Sequence, residues 1–335
     1  MSGLALAGSA LLTPIVGPIA SIVAFVQDRR ARSGRFRQTR IVALIASLVT
    51  IDFVGRIVVF GIWLQGPVGL NRTSPRIQNK YSSVMTWYTT KIMSIISTIA
   101  PLPIDTSELD DALLGGNAVV IGRHRSVFDA SLPAAIFGRL GLTTFYVLKD
   151  ELQWDPNLDV VGHRMGHVFV DRTAKDREGE LTRIRELAAR IDEYSIGVIF
   201  PEGTFFSETR LERAVKAIER RNPQRAAKAA QLRHMLPPRP AGMLAMLEGA
   251  PDADVIVFGH VGVEPFGSIP QILENLGDKR QRLRLKAWRF DRSTIPTDTE
   301  AQIDWIDQRW LEMDEWISRH HPLPGTAPKN TESPN

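Results

Sequence analysis

The chain has 335 residues, 44% hydrophobic and 23% charged, a balance that supports a sizeable core and excludes an intrinsically disordered protein. Its formal charge is +4, but Arg29, Arg30, Arg32, Arg35, Arg37 and Arg40 form a segment without an acid, and taking those six away leaves −2. The basicity is therefore local, and a cluster beside apolar stretches fits a lipid surface better than a nucleic-acid groove. There is no cysteine, which excludes disulfides, a thiolate nucleophile and a zinc-thiolate site and fits a reducing compartment.

Residues 3–26 carry no charge, a stretch long enough to cross a hydrocarbon core. Pro14 and Pro18 predict kinks in it. No charged segment of the secretory kind precedes it, so we expect a retained anchor and not a cleaved signal. A second apolar run, residues 41–64, holds Asp52 and Arg56, four apart and facing each other on a helix. Each ionised group would cost about 2.5–3.5 kcal/mol at a bilayer centre. The arginines should stay on the cytoplasmic side, so two full spans would put everything after residue 65 outside. We therefore expect residues 1–66 to form a helical hairpin in or on one leaflet, its arginine loop on anionic head groups and the rest of the chain at the cytoplasmic face.

Beyond residue 80, short apolar runs alternate with amphipathic stretches, which predicts an α/β domain over residues 80–320 with a central, mostly parallel sheet flanked by helices. The expected strands are residues 117–121, 143–148, 167–170, 196–200 and 254–258. A helix is expected over 175–194, with Leu181, Ile184, Leu187, Ala188 and Ile191 on one face. Another follows Thr204, is basic and is interrupted at Pro223. The last begins at a capping box, Thr297 to Glu300, and repeats Ile303, Ile306, Trp310, Met313 and Ile317. The tail 322–335 is rich in Pro, Thr, Asn and Ser and is expected to be disordered.

Polar residues gather where the strands end. Gly122 to Asp129 follows the first, Lys149 the second, Asp171 and Arg172 the third, and Pro201-Glu202-Gly203-Thr204 the fourth. Ligands in open α/β sheets bind beyond the carboxyl ends of strands, so these segments can converge on one cleft. His124 and Asp129 would sit about 140° apart on a regular helix. With His124 in a loop and Asp129 in the first turn of the next helix, the carboxylate can instead reach the imidazole, fix its tautomer and leave its other nitrogen as a general base.

His124 and Asp129, then Gly166 to Arg172, then Phe200-Pro201-Glu202-Gly203-Thr204 resemble three ordered motifs of the glycerolipid (lysophosphatidic acid) acyltransferase family. The similarity covers about residues 115–320 when the stretch from Ile295 to Glu315 is included. It implies a membrane-bound α/β enzyme that moves an acyl chain from acyl-CoA or acyl carrier protein to a lysophospholipid hydroxyl; separately, the sequence has no Gly-x-x-x-x-Gly-Lys-Ser/Thr or Gly-x-Gly-x-x-Gly loop, and no metal or other cofactor is expected. The resemblance implies His124 as general base and Asp129 as its orienting group. It also implies Lys149 and Arg172 on the acceptor phosphate, with Glu202, Gly203 and Thr204 shaping the acceptor site. Two positions depart from the family pattern: Arg123 stands where Asn usually precedes the histidine, and Phe205 where an arginine usually follows Gly-Thr. Arg210, Arg213 or Arg123 are candidates to restore that charge, and a different lysolipid or glycolipid head group is the alternative. His260-Val261-Gly262-Val263-Glu264-Pro265 occupies the place of a fourth motif and receives no role.

Competing readings are a metal site at His163 and His167, which lacks the intervening Glu of His-Glu-x-x-His, and an inactive membrane-surface scaffold, against which the intact His124 and Asp129 argue.

Overall fold

A computed structural model describes residues 17, 19–31, 36–65, 75–100, 102–110, 114–126, 129–154, 156–171, 176–264, 276 and 282–320. The expected tail 322–335, most of the first apolar run and Arg172 lie outside the described residues.

The chain opens with α1 (19–30), α2 (Arg37–Gln65) and α3 (Pro75–Ile99), followed by β1 (Ile104–Glu108), β2 (Ala118–Gly122) and α4 (Ser131–Arg139). Next come β3 (Thr143–Lys149), a 3-10 turn (Asp150–Trp154), α5 (Pro156–Met165), β4 (Val168–Val170), α6 (Arg177–Ala188) and β5 (Ser195–Ile199). The remainder is α7 (Glu208–Glu219), α8 (Pro223–Ala229), α9 (Pro240–Gly249), β6 (Asp254–Val261), β7 (Leu283–Phe290) and α10 (Thr299–His320). The strands form one sheet in the order β1-β7-β6-β2-β5-β3-β4. From β6 to β4 all neighbours are parallel; β7 is antiparallel to β6, and β1 runs with β7. The five expected strands are all present, within a residue or three of their expected ends. β1, β7 and the helix α3 had not been anticipated, and residue 80, where the α/β domain was expected to begin, falls inside α3.

Helices cover both faces of the sheet. Ala118 and Val120 of β2 enter a core shared with Leu132 and Phe137 of α4, Met93 and Ile96 of α3 and Leu44 of α2. Val119 and Ile121 enter the opposite core, with Ile184 and Leu187 of α6, Met243 and Met246 of α9 and Trp310 and Met313 of α10. A strand buried on both faces reads as a continuous apolar run, which is why β2 and β5 stood out in the sequence. α3 lies close against α4: a Cβ on Gly138 would come within 2.1 Å of the Thr86 hydroxyl.

Two helix ends differ from the sequence expectation. α6 stops at Ala188, six residues before Tyr194, because Asp192 organises a turn, its Oδ1 accepting from Tyr194 N (3.0 Å) and Ser195 Oγ (2.6 Å). α10 is capped by Asp298, whose Oδ2 accepts from Ala301 N at 2.9 Å, so the Thr297 capping box does not form. Pro223 does open a new helix, at α8, with Asn222 as its cap.

At the other end of the chain, Asp28 of α1 reaches across the arginine segment and caps α2. Its carboxylate accepts from Thr39 N (2.8 Å), Thr39 Oγ1 (2.8 Å) and Gln38 N (3.3 Å), and its side chain is buried. α2 is about 43 Å long at the usual rise. It turns Leu44, Ile51, Val59 and Ile62 inward and leaves Ile45, Ile57, Phe60, Trp63 and Leu64 exposed. Asp52 and Arg56 pair on it at 2.5 Å. By length and composition α2 qualifies as a membrane span: its most apolar stretch has a mean hydropathy of 2.2 and is only 17% buried.

Candidate active site

β2 and β5 are neighbours, with Ile121 paired to Ile199, so the loops that leave them emerge side by side. Asp129 lies in the turn two residues before α4, not in its first helical turn. From there its carboxylate folds back over the loop. Oδ2 accepts from the amides of Arg125 and of Ser126 (2.6 Å), and Oδ1 accepts from Ser126 Oγ (2.5 Å). The same Oδ2 stands 3.4 Å from Nδ1 of His124, but that nitrogen makes no hydrogen bond in this structure; catalytic hydrogen bonds often align only once substrate docks. The His124 side chain is 17% exposed and that of Asp129 1%, so the imidazole is reachable and its carboxylate partner is not. Phe200 and Phe205 flank the imidazole at centroid distances of 5.1 and 4.6 Å.

Glu202, Gly203 and Thr204 follow β5. Pro201 and Gly203 occupy favoured positions of a turn closed by Gly203 N donating to Phe200 O (3.1 Å), and Gly203 takes a φ of 71°, where a side chain would be strained. Glu202 is buried and turned inward. Its Oε1 accepts from His124 N and its Oε2 from Leu236 N, both at 2.8 Å. It thus holds the backbone on which His124 stands. Thr204 is half-buried at the exit of the turn. Lys149 ends β3 opposite Val170 of β4, farther along the same carboxyl edge of the sheet. Arg172 is outside the described residues.

Electrostatics sort the two carboxyls. Burial works against ionising Asp129, but His260 and His124 outweigh it and hold the carboxyl well below the usual range. Burial pushes Glu202 up to about 8, against the amide donors and Arg123.

Arg123 is buried, with Nη1 donating to Glu264 Oε1 (2.7 Å) and to the carbonyl of His260 (2.6 Å), and Nη2 to the carbonyl of His234 (3.3 Å). It cannot replace the charge missing at Phe205, because its guanidinium points into the protein. Arg210 donates to the Phe205 carbonyl (2.9 Å). Sequence reasoning also passed over Arg125, which donates to the Phe206 carbonyl at 2.9 Å and lies over the Phe206 ring beside His124. Missed as well were Ser126, the hydroxyl partner of Asp129, and His260, whose Nε2 is 3.3 Å from Asp129 Oδ1. His260 had been singled out only as the first residue of the fourth-motif stretch, without a role. His163 and His167 do not act together: His163 meets Gln153 and Asp159, while His167 is buried and accepts from Tyr146 N (3.4 Å). Among the described residues, no cluster of histidine and acidic side chains could hold a metal ion.

Residues 103–251, from the start of β1 to just before β6, match the family model described as Acyltransferase. These residues are similar to an acyltransferase domain. The chain is 27% identical over 225 residues to mouse 1-acyl-sn-glycerol-3-phosphate acyltransferase epsilon, a match covering 64% of this chain and 60% of the relative. It is 24% identical over 185 residues to an uncharacterized acyltransferase of Schizosaccharomyces pombe, covering 52% of this chain and 50% of that protein. The chain thus spans between half and 60% of the length of these curated relatives. The fold is also that of the crystal structure of the 1-acyl-sn-glycerophosphate (LPA) acyltransferase PlsC from Thermotoga maritima, with a TM-score of 0.53 and 10% identity over 85% of this chain and 98% of that one.

Proposed function

We propose that this chain is an O-acyltransferase that moves a fatty acyl group from acyl-CoA or acyl carrier protein to the hydroxyl of a lysophospholipid at a membrane surface, with the catalytic body at the cytoplasmic face. The observation that carries the proposal is the Asp129 carboxylate. It is buried, pinned by two amides and a hydroxyl, and 3.4 Å from Nδ1 of a partly exposed His124 inside a segment that matches an acyltransferase family. With Nδ1–H turned to Asp129, Nε2 is the free base. It takes the proton of the acceptor hydroxyl as that oxygen bonds to the thioester carbonyl carbon. The carbon–sulfur bond breaks, and the leaving thiolate takes the proton back from the imidazolium. The balance needs no covalent acyl-enzyme and no metal. Lys149 and Arg172 would bind the acceptor's charge, and Glu202, Gly203 and Thr204 would fix the shape of its site through the backbone. A small apolar cavity of about 30 Å³, bounded by Leu44 of α2, Met93 and Ile96 of α3, Leu132 of α4, Val263 and Asp129, lies between the N-terminal helices and the catalytic carboxylate; it would have to widen to take an acyl chain.

Phe205 favours a second acceptor class. An apolar ring rests on His124 where the family pattern has an arginine, and Arg123 is committed to Glu264. The acceptor would then be a lysolipid or glycolipid whose head group is not a phosphate monoester. Transfer from labelled acyl-CoA to a panel of lysolipids tests both. His124→Ala is expected to lower the rate at least about a hundredfold, and an active His124→Ala protein would sink the assignment. A rate on 1-acyl-glycerol-3-phosphate well above that on every other acceptor would reject the second class.

A further inference from the structure

Asp129 has a second imidazole. His260 lies near the end of β6, beyond the family-matched segment, and its side chain is 1% exposed. Its Nε2 is 3.3 Å from Oδ1 of Asp129 and 3.3 Å from the carbonyl oxygen of Arg123. Both neighbours are acceptors, so Nε2 must carry the hydrogen; it bonds the Arg123 carbonyl, and Oδ1 of Asp129 at the same distance is placed to share it. Nδ1 is buried without a partner, which suits the unprotonated nitrogen of the same tautomer. The backbone that carries the ring is anchored, because the His260 carbonyl accepts from the Arg123 guanidinium (2.6 Å), which Glu264 holds from the other side. A further hydrogen bond joins the strands, from Arg123 N to Phe258 O (3.2 Å).

The two oxygens of Asp129 face two sides. Oδ2 accepts from the amides of Arg125 and Ser126 and lies 3.4 Å from His124 Nδ1, while Oδ1 accepts from Ser126 Oγ and lies 3.3 Å from His260 Nε2. A carboxylate can swing about its Cβ–Cγ bond, and a donor on Oδ1 opposes that rotation. We propose that His260 is a positioning residue of the acyl-transfer site, its Nε2–H holding Oδ1 of Asp129 so that Oδ2 stays aligned with Nδ1 of His124. The proposal rests on the assignment of His124 as base. His260 acts through Asp129 and touches neither donor nor acceptor, so its loss lowers kcat and leaves substrate KM values in place.

The test is steady-state acyl transfer from acyl-CoA by the full-length protein in lipid, using whichever lysolipid the panel identifies, for His260→Gln, His260→Asn and His260→Leu, with His124→Ala alongside. The amide nitrogen of Gln reaches about as far as Nε2 of His, whereas that of Asn does not. His260→Leu and His260→Asn are expected to lose about ten- to a hundredfold in kcat with KM changed by no more than about twofold, and His260→Gln to recover most of the rate. Each comparison is repeated in an Asp129→Asn background, where a residue acting only through Asp129 should cost less than about twofold. Wild-type kcat in His260→Asn, a Gln variant as poor as the Asn variant, or losses that multiply in full with Asp129→Asn would each overturn the proposal. If His260→Leu does not fold, the Gln and Asn pair decides alone. An active His124→Ala protein marks failure of the underlying assignment, whereas an inactive His124→Ala beside a fully active His260→Asn marks failure of this one.

Discussion

Burial lowers His167 to about 3, helped by the cation of Arg190 and by His163. A base whose folded pKa is depressed stays neutral in the fold, while the unfolded chain takes up a proton below its ordinary value of 6.5. The stabilisation is therefore complete above about pH 6.5 and is lost as pH falls toward 3. Between pH 7.5 and pH 5 this single group should cost about 2 kcal/mol of unfolding free energy. His167→Gln should flatten the pH dependence by that amount in urea unfolding followed by tryptophan fluorescence, and equal slopes for the two proteins would reject the account. Residue chemistry at the proposed site was legible to different depths. The spacing of His124 and Asp129 already excluded one regular helix, and the resemblance named both. Nothing local could reveal that Glu202 faces inward to the His124 amide, or that Arg123 pairs with Glu264, since those partners are 78 and 141 residues away.

At the scale of elements, Asp28 explains how an arginine-only segment can sit between two helices. Phe36, just before α2, has no oxygen with which to cap it and takes a φ of 45°; a carboxylate from α1 satisfies the amides of Gln38 and Thr39 instead. Asp28→Ala leaves those donors orphaned and should cost about 1 kcal/mol at that helix end. The expected result is faster tryptic cleavage between Arg29 and Arg40 with the unfolding of the body unchanged; cleavage at the wild-type rate would show that the cap does not hold the hairpin. The elements that escaped sequence reading have physical reasons. β7 alternates Leu283, Leu285 and Ala287, which are buried, with Arg284, Lys286 and Trp288, which are half-buried. That period-2 signal was present, but it lay outside the apolar runs that mark central strands. β1 (Ile-Asp-Thr-Ser-Glu) has one apolar residue and exists because β7 offers it an edge, with Lys286 donating to Glu108 (2.7 Å).

For the whole molecule, α10 supports the site from behind. Asp314 accepts from the amides of Arg233 and His234, and Trp310 Nε1 donates to Leu236 O. Leu236 N in turn donates to Glu202, whose other oxygen holds His124 N. The opposite side of the body meets α3 and α2, and the second half of α2 exposes an apolar strip of Val54, Ile57, Val58, Phe60, Trp63 and Leu64. If that strip lies in a membrane, Ile57→Asp with Phe60→Asp adds about 2.5–3.5 kcal/mol per residue near the bilayer centre. The double variant should then leave the membrane fraction while the wild type resists a high-salt wash; retention of the variant would assign anchoring elsewhere, with the arginine segment first in line. Deleting residues 3–64 is a less clean experiment, because Leu44 belongs to the core and its removal uncovers α3.

The sequence by itself determined the α/β class, the five strands nearest the sheet centre and its β4 edge, the apolar character of α2 and the order of the motifs. Each of these is written in periodicity, apolar run length or short-range spacing. Only the tertiary structure decided that Asp129 lies between two imidazoles, that Arg123 is buried against Glu264, that Glu202 serves the backbone under His124, and that α2 joins the core through Leu44. Those are contacts between residues distant in the chain, and their geometry exists only once the sheet has set β2, β5 and β6 side by side.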